Sequence, residues 1–324
     1  MSEFHVRVVE IREMRKHPNA DSLSVVSVDG GYPAIVRTAD FKEGDKAAYI
    51  PVDALVPLTD PRFAFLLKKD KPRERERIRA SRLRGIFSMG LLTKADPAWN
   101  VGQNVQAELN ILKYEPPEPA NTGEDIKDPG FFPHYTDIEG LRKHPTLLKE
   151  GEEVVITEKL HGVNGRWLWR EDQFWAGSFS VFKKEDPTNL WWKAAHQEKL
   201  VEKLKEHPWI GVYGEVFGTV QDLKYGSKPG ETKLALFDAV DTRTRHYLNE
   251  DEFAALCQTL GVPRVPVLYR GPWSESLRSL AEGSSTFASH VREGFVVKPV
   301  KERFEEALGG RLVLKLHGEG FLLR

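Results

Sequence analysis

Residues 157–165 read Thr-Glu-Lys-Leu-His-Gly-Val-Asn-Gly and follow an apolar run that begins at Val154. The apolar run predicts a buried strand, and Gly162 predicts a turn that ends it. Lys159 would then lie at the rigid end of a strand, where its side chain can point into a cleft. Desolvation or a neighbouring cation can lower the pKa of such a lysine and make its amine a nucleophile towards phosphorus. Taken alone, the stretch also fits an ordinary solvated lysine at a strand end.

Later segments of the chain place further functional groups on predicted strands. These groups are Glu215, Phe237, Asp238, Glu293, Lys298 and Lys315. Each of them singly is explained by a half-buried strand with a polar end. Together with Lys159 they supply a nucleophile, carboxylates for a metal, an aromatic face and cations for a triphosphate. That combination indicates a nucleotide and metal site.

The first part of the chain indicates a β domain. Short runs of alternating or β-branched residues are separated by turn signals at 17–21, 29–33 and 42–45. Closely spaced strands followed by a short helix predict a small closed barrel of the OB type over residues 1–113. Residues 17–29 also resemble the opening of tRNA-binding OB domains.

The rest of the chain predicts a different architecture. Residues 114–130 are rich in proline and acidic residues and have the composition of a linker. From residue 131 to 324, mostly short strands alternate with helical runs at 188–207 and 248–261, which predicts an α+β domain of antiparallel sheets with flanking helices.

The functional segments resemble the motifs of covalent nucleotidyltransferases, in the family's order. Residues 157–164 resemble motif I in its RNA-ligase form, in which His161 replaces the aspartate of DNA ligases. The stretches 211–218, 234–240, 292–299 and 311–316 resemble motifs III, IIIa, IV and V. Residues 132–139 resemble the opening of the RNA ligase 2-like family domain, and the OB-like domain resembles that of Deinococcus-type RNA ligases.

The resemblance implies an ATP-dependent RNA ligase that joins RNA 3′-OH and 5′-phosphate ends. AMP would be carried on Lys159, and Mg²⁺ or Mn²⁺ would assist the phosphoryl transfers. It implies nucleotide contacts from Glu158, Leu160, Asn164, Glu215, Phe237, Glu293, Lys298 and Lys315. It implies metal contacts from Glu293 and Asp238, although Asp238 is equally interpreted as a strand cap. For His161, stabilisation of the turn and contact with the substrate remain open.

The match departs from the family pattern at two positions. Motif V commonly carries a lysine where this chain has Val313, and Arg311 or Lys298 are candidates to replace its charge. The serine-arginine pair after motif I is not evident, and Lys183 or Arg166 are candidates for the arginine.

Related enzymes supply the alternatives to an RNA ligase. DNA ligases and capping enzymes carry an OB domain after motif V, whereas nine residues follow Lys315 here. We therefore expect an RNA ligase rather than one of those enzymes. A non-catalytic RNA-binding protein is the alternative from another class.

Charge and composition bear on the partners. The net charge is −1, so a polyanion site has to come from local clustering, and the segment Lys68–Arg84 is the densest basic cluster. A solvated helix face and a phosphate-binding surface both explain it. The second interpretation predicts that Arg79, Arg82 and Arg84 bind RNA ends or a nicked duplex.

The remaining composition bears on the compartment. A single cysteine, Cys257, excludes an internal disulfide, and no apolar run is long enough to span a bilayer. We expect a cytoplasmic protein, not bound to a membrane and acting as a monomer.

Overall fold

The computed structural model describes residues 4–28, 32–67, 73–115, 123–133 and 135–324. Lys68, Lys69 and Lys71 of the basic cluster, residues 116–122 of the predicted linker and His134 lie outside the described residues. The chain forms two compact units. The first contains Met1–Pro117 with the short segments Arg142–His144 and Leu322–Arg324, and the second contains Glu118–Leu141 and Pro145–Phe321.

The first unit is built from short strands around two apolar cores. Its strands are β1 (Arg7–Glu10), β2 (Met14–Lys16), β3 (Leu23–Ser27), β4 (Pro33–Arg37), β5 (Lys46–Ile50), β6 (Ala54–Pro57), β7 (Arg75–Arg77), β8 (Ser81–Leu83), β9 (Ile86–Ser88), β10 (Leu91–Lys94) and β11 (Leu112–Lys113). The expected short helix is a 3₁₀ turn at Ala64–Leu66. Within the described ranges the strands form four small sheets, β1-β5-β10, β2-β3-β4, β11-β6-β7 and β8-β9, and not one closed hydrogen-bonded ring. The OB-like strand pattern is present, while the predicted closure is not seen.

The second unit contains two larger sheets and the α-helices, except that Leu322, the last residue of the final helix, belongs to the first unit. Its strands are β12 (Asp125–Ile126), β13 (Glu139–Gly140), β14 (Glu153–Glu158), β15 (Val163–Arg170), β16 (Gln173–Gly177), β17 (Phe182–Lys183), β18 (Ile210–Gly218), β19 (Thr232–Asp241), β20 (His246–Tyr247), β21 (Val267–Pro272), β22 (Gly294–Pro299), β23 (Phe304–Glu305), β24 (Gly310–Arg311) and β25 (Leu314–His317). The α-helices are α1 (Leu190–Gln197), α2 (Leu200–Lys205), α3 (Glu250–Leu260) and α4 (Glu319–Leu322), and 3₁₀ turns lie at Glu275–Ala281 and Glu306–Leu308. The predicted α+β architecture is confirmed.

The two larger sheets are mainly antiparallel. One has the order β12-β17-β16-β15-β18-β19-β20, and the other has the order β13-β25-β22-β14-β21. The β13–β25 pair alone among them is parallel in the described part of the chain.

The predicted helix over 188–207 is two helices. The break falls at Lys199, which has a φ of 54°, a left-handed conformation that a continuing helix cannot contain. The helix predicted at 248–261 forms as expected. Asn249 and Glu252 make a capping box at its start, and Gly261 ends it with a φ of 56°.

A β-bulge in β19 decides which residues lie on the face of the seven-stranded sheet opposite the helices. Tyr213 pairs with Asp238 and Gly214 pairs with Leu236, so Phe237 is the extra residue. Before the bulge Leu236 packs in the core under the helices, and after it Ala239 packs in the same core. Phe237 and Asp238 therefore lie on the opposite face together, although alternation would separate them.

No α-helix in the described residues is long and apolar enough to cross a membrane.

Candidate active site

Three strand ends meet at one edge of the five-stranded sheet. Lys159 follows β14, and its backbone N–H donates to the carbonyl of Gly294 at 3.0 Å. Gly294 begins β22 and pairs with His317 at the end of β25. Because neighbouring strands are antiparallel, Lys159, Glu293 and His317 are brought together from distant parts of the sequence.

Gly294 is needed for this meeting point. Its φ is 148°, and a Cβ there would lie 2.0 Å from the carbonyl oxygen of Leu316. A side chain at this position would push β22 away from β25. The strand end would then no longer hold Glu293 beside Lys159.

Glu293 is the centre of the ionic contacts at this edge. Its carboxylate lies 2.6 Å from Lys159 Nζ, 3.1 Å from His161 Nδ1 and 3.4 Å from His317 Nε2. Burial alone would raise the pKa of Glu293, but Lys159 and the two histidines hold it well below its ordinary value. The group is therefore a carboxylate at neutral pH.

The amine of Lys159 differs from the expectation. Burial alone would lower its pKa, yet the carboxylates of Glu293 and Glu215 raise the pKa of Lys159 above its ordinary value. The predicted lowering was wrong for the protein on its own, because two buried carboxylates outweigh desolvation. Lys159 is thus a protonated amine held in an ion pair, and it has to lose a proton before it can attack.

His161 is held on three sides. Its Nδ1 donates to Glu293, its Nε2 lies 2.9 Å from Asp222 Oδ1, and its backbone N–H donates to the Tyr225 hydroxyl at 2.7 Å. Burial alone would lower the pKa of His161, but the contacts with Glu293 and Asp222 raise it. Tyr225 is almost fully buried and has a φ of 50°, which is rare for an aromatic residue. The loop after β18 therefore fixes the turn that follows Lys159.

Glu215 lies on β18, close enough to Lys159 for their charges to interact. Burial raises the pKa of Glu215 to about 7, although the positive charge of Lys159 opposes the shift and a hydrogen bond from the Gly162 backbone opposes it further. Lys159 therefore sits between one firmly ionised carboxylate, Glu293, and one that titrates near neutral pH.

The residues around Lys159 take distinct places. Glu158 is almost fully buried, and its Oε2 accepts from the Thr286 backbone at 2.7 Å, whereas its Oε1 is buried without a partner within the described residues. Leu160 packs in a small apolar core with Tyr225. Asn164 Oδ1 accepts from the Phe179 backbone at 3.2 Å.

Phe237 belongs to an aromatic group on the face of the seven-stranded sheet opposite the helices. Its ring lies 5.5 Å from Tyr135 in an edge-on arrangement and 6.3 Å from Phe179, measured between centroids. The Phe179 backbone N–H donates to the side chain of Asn164 on β15. The aromatic group therefore lies next to the residues that resemble motif I. Phe237 is only partly buried, which leaves part of its ring accessible.

Asp238 is the centre of a second ionic cluster. Its oxygens lie 3.3 Å from Lys298 Nζ and 2.8 Å from Arg311 Nη2, and they accept from the Tyr135 hydroxyl at 3.0 Å. Burial alone would raise the pKa of Asp238, but Lys298 and Arg311 lower it. Both cations also pair with Glu302. The cluster ties β19 to β22 and β24.

Four residues were considered as replacements for the motif V lysine and for the arginine after motif I. All four form ion pairs with other residues. Lys298 and Arg311 pair with Asp238, and Val313 is buried. Arg166 forms an ion pair with Asp128 at 2.6 Å, and Lys183 pairs with Asp125.

The last two predictions for the site concern Lys315 as a phosphate contact and the metal ligands. Lys315 lies on β25 opposite Val296 and is half-buried. No group of three or more His, Cys, Asp or Glu with a metal-binding arrangement occurs in the described residues.

Three arginines of the basic cluster in the first unit contact acidic or amide side chains. Arg73 pairs with Glu76, Arg75 donates to Asn110, and Arg77 pairs with Asp53. The three arginines predicted to bind RNA, Arg79, Arg82 and Arg84, are all exposed. They lie on or beside the β8–β9 hairpin, so a helix face does not explain these three arginines.

Sequence reasoning missed three residues of the site. His317, Asp222 and Tyr225 contact Glu293 or His161. His317 could have been found from its place two residues after Lys315, because both side chains then lie on one face of a strand. Asp222 and Tyr225 lie in a loop, and no pattern in the sequence marks them.

Comparison with known families identifies the class of protein. The RNA ligase family model matches residues 152–317, and an OB-fold domain model matches residues 5–95. The chain belongs to the RNA ligase family. This confirms the predicted RNA ligase with an N-terminal OB domain over the DNA ligase, capping enzyme and non-catalytic alternatives. No curated protein sequence matches the chain significantly.

Solved structures of the Naegleria gruberi RNA ligase are similar over nearly the whole chain. A lysine-to-alanine variant with ATP and Mn superposes with a TM-score of 0.81 at 25% identity, covering 98% of both chains. A glutamate-to-alanine variant with AMP and Mn gives 0.81 at 26%, covering 99% of this chain and 98% of that one. A complex with pyrophosphate gives 0.80 at 25%, with the same coverage.

Proposed function

We propose that this chain is an ATP-dependent RNA ligase that joins RNA 3′-OH and 5′-phosphate ends through lysyl-AMP and RNA-adenylate intermediates. The observation that carries the proposal is the Lys159 amine, held 2.6 Å from Glu293 at a partly open strand edge. The similar Naegleria gruberi enzyme has been solved with ATP, AMP, Mn and pyrophosphate. In such a reaction ATP is the substrate, AMP is the transferred group, Mn is a divalent metal and pyrophosphate is the leaving group.

Lys159 is the proposed nucleophile. Its amine gives up a proton to water, attacks the ATP α-phosphorus, and forms a P–N bond as the P–O bond to pyrophosphate breaks. The RNA 5′-phosphate then displaces the amine and takes AMP, and a 3′-OH finally displaces AMP. A divalent cation on Glu293 would offset the negative charge that holds the proton on Lys159 and would neutralise developing phosphate charge.

Glu158 and Phe237 are the proposed base contacts. Among the residues that the structure describes, Glu158 Oε1 is buried without a partner, and a carboxylate oxygen only accepts hydrogen bonds. It can therefore receive the exocyclic amine of adenine but repels the carbonyl at the same position of guanine. The accessible part of the Phe237 ring offers a stacking face. Leu160 and Asn164 would complete the pocket, and Glu215 would contact the ribose.

Lys315 is the proposed phosphate contact. It lies on the strand that ends at His317, next to the Glu293 cluster. Lys298, predicted for the same role, pairs with Asp238 and Glu302. Of the two roles predicted for Asp238, the structural one is favoured, because its oxygens are occupied by Lys298, Arg311 and Tyr135.

Labelling with nucleotides tests the chemistry. Wild-type protein should gain covalent label from α-labelled ATP and little from α-labelled GTP, because Glu158 rejects guanine. Lys159→Ala should take up none. Lys159→Arg is the matched control, since it preserves the charge beside Glu293 but cannot act as the nucleophile. Label on either variant would rule out Lys159 as the attachment site.

The first unit is the proposed RNA platform. We propose domains at 1–113 and 131–324 joined by a linker at 114–130, with Arg79, Arg82 and Arg84 binding RNA ends or nicked duplex. Their exposure supports this role, because phosphate contacts need accessible cations. Replacing Arg79 and Arg82 by Ala should weaken binding of a nicked duplex and flatten its salt dependence. Unchanged binding at every salt concentration would contradict the assignment.

The cellular setting is also a proposal. One buried cysteine, Cys257, suits a reducing compartment, so we propose that the protein is cytoplasmic. We also propose that it acts as a monomer. A sedimentation experiment at assay concentration tests the monomer, and a dimer would contradict it.

A further inference from the structure

The turn of the β8–β9 hairpin contains a strained arginine. Leu83 pairs with Ile86, so the turn has two residues, Arg84 and Gly85. Their φ angles are 45° and 89°. A two-residue turn with both φ angles positive is the I′ type, which strongly prefers asparagine followed by glycine. Arginine at the first position places a Cβ in the left-handed region, where most side chains are disfavoured.

A clamp from another loop holds this turn in place. His17 lies between β2 and β3, is 1% exposed, and donates from Nε2 to the Leu83 carbonyl at 3.1 Å. Asn19 donates from Nδ2 to the Arg84 carbonyl at 2.9 Å and from its backbone to His17 Nδ1 at 3.0 Å. The carbonyl before the turn, that of Leu83, and the carbonyl of the first turn residue, Arg84, are therefore both held by hydrogen bonds. The surrounding structure over-determines the strained conformation, as is typical of strain kept for function.

The Arg84 side chain does not contribute to the clamp. It is exposed, and no hydrogen bond or ion pair of its guanidinium occurs among the described residues. Arg73, in the same basic cluster, instead pairs with Glu76 at 3.2 Å. Arg84 lines an open groove with residues 18–22. The acid in that groove, Asp21, is paired with Lys16 at 3.0 Å.

We propose that Arg84 is a preset phosphate-binding residue for the RNA backbone, held at the tip of the hairpin by the His17–Asn19 clamp. A guanidinium presents its donors in a planar fork that matches a phosphate, and a fixed backbone leaves less freedom to lose on binding. The chain keeps arginine where asparagine would make a more stable turn. The proposal rests on the proposed RNA ligase function and adds the position of one phosphate contact.

The full-length variants Arg84→Asn and Arg84→Lys test it, with Arg73→Asn as the matched control. Melting temperature is measured first, followed by binding to a nicked RNA duplex without ATP over a series of KCl concentrations. Arg84→Asn should melt roughly 2–5 °C higher, because the turn strain is relieved. It should bind about 3- to 10-fold more weakly, with a salt slope lower by about 1. Arg84→Lys should keep the slope without the gain in melting temperature, and Arg73→Asn should bind as the wild type does.

Two outcomes would overturn the proposal. If Arg84→Asn is more stable but binds RNA with unchanged affinity and slope, the arginine is only a turn residue. If Arg84→Asn melts at a lower temperature, the turn is not strained. Both results are distinct from failure of the proposed ligase function, which would show as absence of covalent label on wild-type protein given ATP.

Discussion

The second unit contains two buried carboxylates surrounded by cations, and they differ in how accessible those cations are. Glu293 contacts Lys159 and His161, whose side chains are 25% and 26% exposed. Asp238 contacts Lys298 and Arg311, whose side chains are 8% and 12% exposed. Both carboxylates have lowered pKa values. An accessible partner can be exchanged for a substrate, whereas an enclosed one cannot. We infer that the first cluster reacts and the second one holds the sheets.

Removing the charge of Glu293 should give the larger loss of activity. In Glu293→Gln we expect adenylation to fall about 100- to 1000-fold, as when a single electrostatic contact to a transition state is lost. The melting temperature should fall less than in Asp238→Asn, because the side chains of Lys159 and His161 are partly open to water and can be hydrated when they lose this partner. Rates are measured by single-turnover labelling across a series of Mg²⁺ and Mn²⁺ concentrations. A near-normal rate would show that the two clusters do not differ in the proposed way.

Removing the charge of Asp238 should mainly reduce stability. In Asp238→Asn, Lys298 and Arg311 lose their buried partner, and the free energy of unfolding should fall by about 3–5 kcal/mol. The pKa of Asp238 is lowered on folding, so its contribution is present above the unfolded pKa and is lost as pH falls through the folded value. Urea unfolding of both proteins should therefore show a constant difference from pH 5 to 8 that shrinks only in stronger acid. Equal stability of the two proteins at pH 7 would refute the scaffold role.

Removing the charge of Glu215 should change stability the least of the three substitutions. It tests whether Glu215 titrates near neutral pH beside Lys159. Its pKa is raised to about 7 by burial, so the folded protein keeps this proton longer than the unfolded chain does. Stability should therefore fall by about 1–3 kcal/mol as pH rises from about 4.5 to 7, and then level off. Glu215→Gln should lack this decline. An identical pH profile in urea unfolding of wild type and variant would show that Glu215 titrates normally.

Sequence patterns located the residues that lie at the ends of predicted strands. Lys159 and Glu293 each adjoin an apolar run, and antiparallel pairing brings such ends together. The predicted helix at 248–261 formed because its capping residues, Asn249 and Gly261, are local signals. These features depend on nearest neighbours along the chain or on one simple pairing rule.

Other features depended on contacts that no local pattern encodes. Asp222 and Tyr225 reach His161 from a loop, and the direction of a loop side chain depends on its turn. The pKa of Lys159 was predicted in the wrong direction because it depends on Glu293 and Glu215 together. The helix break at Lys199 replaced a continuous helical pattern, since a left-handed residue is tolerated where packing compensates.

The bulge at Phe237 has a consequence for aligning this chain with its relatives. A relative whose strand lacks the extra residue needs a one-residue gap inside a β-strand, where alignment methods penalise gaps most heavily. An ungapped alignment would match Phe237 or Asp238 with a residue from the opposite face. Such an alignment would place the aromatic and acidic residues in the wrong columns. A conservation score for those columns would then combine residues from the two faces of the sheet.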